Sequence, residues 1–101
     1  MNLELLTQFV IEYCSLYYDL EGSSYYNIER YVLASIEYIK NATGVTLENV
    51  DSDNSLYKLA VAMLSTHWYE NRSITTTENN TDLKHSLSYI LMQLKNCYGG
   101  N

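Results

Sequence analysis

Between Asn54 and Arg72, apolar side chains recur at Leu56, Leu59, Ala60, Met63, Leu64 and Trp68, with His67 in the same row. That i, i+3, i+4, i+7 spacing is one face of an α-helix. It predicts a helix over about 54–72, with Leu59, Met63, Leu64 and Trp68 as its core anchors. At 1.5 Å per residue such a helix is about 28 Å long, enough to serve as the central strut of a small domain. Asp53 or a neighbour is placed to cap its first turn by accepting a backbone N–H. A second stripe, Leu83, Leu87, Ile90, Leu91, Leu94 and Tyr98, predicts a helix over 82–97. Asp82 stands at its positive end, and Gly99-Gly100 halts it, leaving a flexible tail at 98–101.

Upstream, Ile28, Val32, Ile36 and Ile39 mark a helix over 25–43, with Ser24 as its N-cap and Gly44 suited to a left-handed C-cap. Leu6, Val10 and Tyr13 mark a shorter helix over 3–14. Residues 44–50 are compatible with extended chain but offer no sheet. The chain has no proline, so the boundaries rest on Gly22-Ser23-Ser24, Thr43-Gly44, the polar run 51–55 and the polar stretch Ser73–Thr81. The fold class expected is all-α: a small four-helix bundle or orthogonal array with one long central helix, in a single domain over 1–101.

Composition narrows the function. Hydrophobic residues make up 47% of the 101, which excludes a disordered chain. A domain this small leaves a large share of its surface exposed, so association with further subunits would add stability. The formal charge is −6, from 12 acidic and 6 basic residues, and the basic ones are scattered singly. Gripping nucleic-acid phosphates needs clustered Lys and Arg, and anionic membranes need the same, so neither is an expected ligand. No apolar run reaches the roughly 18 residues of a membrane span, and Met1-Asn2-Leu3-Glu4 lacks the basic start of a signal peptide. Cys14 and Cys97 are the two cysteines; without CxxC spacing they read as buried thiols in a reducing compartment, with a disulfide as the alternative.

Catalytic and metal chemistry find little support. His67 and Glu70 lie one helical turn apart, but a zinc site needs three or four ligands, and a histidine at the edge of the core beside a carboxylate accounts for the pair. The run Asp51-Ser52-Asp53-Asn54-Ser55 opens like a calcium loop, yet Leu56 and Ala62 stand where that loop requires Gly and Glu. No phosphate-cradling, dinucleotide or nucleophile-elbow motif is present. A non-enzymatic protein with no cofactor is expected. The eleven tyrosines stand out. They serve either as an amphipathic rim to a core with one Phe, or as a protein–protein interface, where tyrosine is enriched.

The third predicted helix ends in His67-Trp68-Tyr69-Glu70-Asn71-Arg72, after the apolar run Leu59 to Leu64. This block resembles the signature helix of the phage gp6-like head–tail connector (adaptor) family. Ala34, Ile36, Tyr38, Ile39 and Thr43-Gly44, and the polar 73–81 stretch before a Leu/Ile-rich last helix, are similar to that family too. The resemblance runs from about Leu6 to Tyr98. It implies a virion neck protein forming a homo-oligomeric ring, commonly twelve-fold, made in the host cytoplasm. One side of the ring would dock on the portal protein and the other would receive a stopper or tail-completion protein. Duplex DNA would pass through without sequence-specific binding. His67, Tyr69, Glu70, Asn71, Arg72 and Tyr98 are the assembly candidates under that resemblance.

Two other readings compete. A small acidic protein that inhibits a host DNA-binding factor by charge mimicry would gather its carboxylates on one face. A helix-turn-helix regulator would need several base-reading side chains on an exposed helix, and Lys58 alone is too few.

Overall fold

A computed structural model describes residues 1–50, 54–70 and 81–98, with only the helical backbone described for 81–86 and 97–98. Among these residues lie four α-helices, α1 (Leu3–Ser15), α2 (Gly22–Thr43), α3 (Ser55–Glu70) and α4 (Thr81–Tyr98), and a 3₁₀ turn over Leu47–Asn49. There is no strand among the described residues. The fold is therefore all-α, a small helical bundle.

Three of the described helix ends have an identifiable cause. The Asn2 side-chain oxygen accepts from the N–H groups of Glu4 (2.7 Å) and Leu5 (3.3 Å), which starts α1. Gly44 ends α2 in the left-handed region (φ 81°), its N–H donating 2.8 Å to the Lys40 carbonyl. Thr43 reinforces this end from the side, donating to the Ile39 carbonyl and accepting from the Val45 N–H. At α3 the cap is Asn54, whose Oδ1 accepts from the Tyr57 N–H at 3.0 Å; Asp53 lies outside the described residues.

The start of α2 differs from expectation. Gly22-Ser23-Ser24, read above as a break, is its first turn. Glu21 is the N-cap residue and makes no side-chain capping bond. The Ser24 hydroxyl, expected as that cap, instead lies 3.1 Å from the Tyr69 hydroxyl on α3. A tertiary partner took the side chain that local rules assign to the helix end.

One continuous core joins the four helices. Leu6, Val10 and Cys14 of α1 and Ile28, Val32, Ser35, Ile39 and Thr43 of α2 face it. From α4 come Leu87 and Leu94, with Ile90 and Leu91 half-buried beside them. Helices α2 and α3 each pack against all three others, and α3 is the more covered of the two. It is central as expected, but α2, with 22 residues against 16, is the longest helix. The Met1 ammonium closes the N-terminal edge by donating to the carbonyls of Leu47 (2.9 Å) and Val50 (3.0 Å).

The buried side of α3 is rotated by one residue from the expected stripe. Tyr57, Val61, Ser65 and Tyr69 form a buried i+4 ridge, with Ala60, Ala62 and Leu64 buried around it. The ridge meets α2, where the hydroxyls of Ser65 and Ser35 approach to 3.2 Å and that of Tyr69 reaches Ser24. Toward α1, Thr66 lies 3.1 Å from the Cys14 sulfur, and the Lys58 ammonium sits 5.5 Å from the centre of the Phe9 ring. Ala60, Ala62 and Ser65 are all buried, and along α3 only Ser55 and Glu70 are exposed.

Candidate interaction surface

Three of the assembly candidates, His67, Tyr69 and Glu70, fall in the C-terminal half of α3. Leu64 is buried, while Leu59, Met63 and Trp68 are half-buried. Trp68 packs against the core and meets the Tyr38 ring edge-on, with centroids 6.3 Å apart. Tyr69 differs from its expected place. It belongs to the buried ridge, with its ring edge-on to Tyr18 at 5.4 Å and its hydroxyl at Ser24, so it is not on the outer surface. Its i+4 relation to Ser65 turns it inward.

His67 and Glu70 do come together, and α1 supplies what surrounds them. Tyr13, Tyr17, Tyr18, Met63, Thr66, His67 and Glu70 line an open cleft of about 270 Å³ between the ends of α1 and α3. After α1, the N–H groups of Leu16, Tyr17 and Tyr18 bond back to the carbonyls of Tyr13 and Cys14. That tight turn holds Tyr17 and Tyr18 beside the helix end. The Tyr13 and Tyr17 rings are 5.8 Å apart and inclined at 55°. Burial, with smaller contributions from Tyr17 and Cys14, pushes the Tyr13 hydroxyl above its ordinary pKa. Beneath the cleft Cys14 is fully buried and free; burial raises its thiol pKa, with a smaller opposing pull from the Thr66 hydrogen bond.

A second depression, about 430 Å³, runs between α1 and α2 and is lined by Leu3, Glu4, Thr7, Gln8, Ile11, Glu29 and Leu33. Apolar side chains are exposed on α1, α2 and α4, among them Leu5, Tyr26, Leu33, Tyr89 and Met92, and at Leu16 just after α1. Those on α4, Tyr89 and Met92, lie outside both depressions.

Among the described residues no group of three His, Cys, Asp or Glu side chains is placed to hold a metal, so His67 and Glu70 stand as a pair. No described helix is long and apolar enough to cross a membrane. Asn71, Arg72 and the Tyr98 side chain lie outside the described residues, as do the 73–80 stretch and the 99–101 tail. The tyrosine wall was missed by sequence reasoning. Its one local signal is the i, i+4 spacing of Tyr13 and Tyr17.

The family model of the phage gp6-like head–tail connector protein matches residues 25–96, from the first turns of α2 to near the end of α4. Comparison with curated proteins and with solved structures finds no match.

Proposed function

Since the chain belongs to the phage gp6-like head–tail connector proteins, we propose that it is the repeating subunit of a connector ring in the virion neck. The ring docks beneath the portal and receives a stopper or tail-completion protein on its far side. The observation that carries this reading is the family match across α2, α3 and α4, the helices that hold most of the core. The role is structural, in keeping with a family whose task is joining head to tail.

Physical features support it. Exposed apolar side chains on α1, α2 and α4 suit a chain that gains further burial on assembly. The formal charge of −6 suits a channel for DNA. Carboxylates near the path repel the duplex, within the ~8 Å reach of charge at physiological salt, and let it slide. His67, Trp68 and Glu70 lie at the end of α3 that is proposed to meet neighbouring subunits.

Co-sedimentation of the chain with a purified portal ring, followed by electron microscopy, tests the proposal. The expected result is an added layer of density on one face of the portal. Portal rings that emerge bare at saturating chain would overturn it.

A further inference from the structure

Two uncovered faces of complementary character lie on opposite flanks of the molecule. Helices α1 and α4 each pack on α2 and α3 and not appreciably on each other, so the α2–α3 pair stands between them. On one flank is the depression of about 430 Å³ between α1 and α2. Exposed Leu3 and Leu33 and half-buried Ile11 give it an apolar lining, and the exposed carboxylates of Glu4 and Glu29 stand beside them. On the other flank α4 exposes Tyr89 and Met92, and exposed Lys95 follows Met92 by three residues, on the same side of the helix. One face is thus apolar with an acidic edge, and the other is apolar with a basic edge. Among the described residues no ion pair engages Glu4, Glu29 or Lys95.

We infer that the α4 face of one copy seats in the α1–α2 groove of the next, and that this head-to-tail contact, repeated, closes the ring. Contacts between unlike faces generate rings when the rotation closes. Tyr89 and Met92 cover the leucines, and Lys95 meets the two carboxylates. Faces on opposite flanks cannot both meet one neighbour, so they do not make a two-fold dimer. Groove against groove would set carboxylates on carboxylates. The formal charge of −6 per copy does not oppose the contact, because at physiological salt charges more than about 8 Å apart are largely screened. The opposite charges at the contact then decide.

This inference rests on the connector reading for its ring, and adds two faces to the end of α3 named there. The full chain, isotopically labelled, is followed by NMR as its concentration rises to about 1 mM, which detects even weak pairing. Shifts are expected together at Glu29 and Leu33 and at Tyr89, Met92 and Lys95. Leu33→Ser and Met92→Ser, both at exposed positions, should each weaken the association about ten-fold or more, as expected when one apolar side chain is lost from an interface, with unchanged thermal midpoints. Because the faces are unlike, the two variants complement each other. Leu33→Ser keeps its α4 face and Met92→Ser keeps its groove, so an equimolar mixture should form dimers that extend no further. Independently of these, Lys95→Glu should weaken association about two- to five-fold, and adding Glu4→Lys and Glu29→Lys to the same chain should restore it. No change up to about 1 mM, shifts at the groove without shifts on α4, or a mixture no more associated than its components would overturn the inference. A chain that layers on the portal while the mixed variants stay apart keeps its connector role and loses these faces; mixed variants that pair while the portal stays bare do the opposite.

Discussion

Tyr57 and Tyr69 stand near opposite ends of α3, on the same i+4 ridge, and both are buried. Tyr69 uses its hydroxyl, which meets Ser24, and its ring, which meets Tyr18. Tyr57 has no hydrogen-bond partner for its hydroxyl among the described residues, and burial pushes that hydroxyl's pKa up to about 12. One tyrosine is held by both its ring and its polar tip. The other fills volume and carries its oxygen as a penalty, since an unpaired buried hydroxyl costs about 1–3 kcal/mol. Residue type and burial are the same at the two sites; the partner decides what the side chain contributes.

The largest test of that contrast removes the ring. Tyr57→Ala should destabilise the chain by about 3–5 kcal/mol, as expected for an aromatic deleted from a packed core, and thermal denaturation should show a fold near or past its limit. A loss under about 1 kcal/mol would mean the ring is not the keystone of its end of α3. The sharper test is the sign of the hydroxyl deletion. Tyr69→Phe should lose about 1 kcal/mol with its hydrogen bond, whereas Tyr57→Phe should be neutral or stabilising. Matching losses from urea denaturation would erase the distinction.

Alkaline titration extends the comparison. Below pH 10 folded and unfolded chains both keep the Tyr57 proton. Between pH 10.0, the ordinary tyrosine value, and about 12 the unfolded chain releases it while the folded one holds it. The unfolded state then binds fewer protons, so stability falls as pH rises through this window. The stability difference between Tyr57→Phe and the parent should grow in favour of the variant across it; a difference flat with pH would show that the hydroxyl is solvated. At the small end, Asn54→Ala removes the cap that accepts the Tyr57 N–H and should cost about 1 kcal/mol, read from the same denaturation curves.

The plan of four helices was legible because α1, α2 and α4 each have one apolar and one wet face, which periodicity detects. Ile28, Val32 and Ile39 were read from their spacing and are buried. The method falters on α3. With only Ser55 and Glu70 exposed along it, α3 buries Tyr57, Val61, Ala62, Ser65 and Tyr69, which the expected stripe omitted. A search for a single apolar face cannot orient a helix covered on several sides, and it passes over small polar residues such as Ser65 that are buried by close approach. The first turn of α2 was hidden for a related reason: Ser24 looks like a cap until Tyr69, distant in sequence, lies beside it.

The candidate site was legible in part. His67 and Glu70 were named from one segment, and the family resemblance came from that same segment. The cleft needs Tyr13, Tyr17 and Tyr18 as well, and these join it only because the end of α1 packs beside the end of α3. Juxtaposition across the chain leaves no mark in local spacing.

The enclosed sulfur of Cys14 has a practical corollary. With no solvent access and a thiol that resists ionising at neutral pH, it offers an alkylating reagent almost no thiolate to attack. Its modification should therefore proceed at the rate at which the helices part, making the natural residue a clock for opening that requires no attached dye.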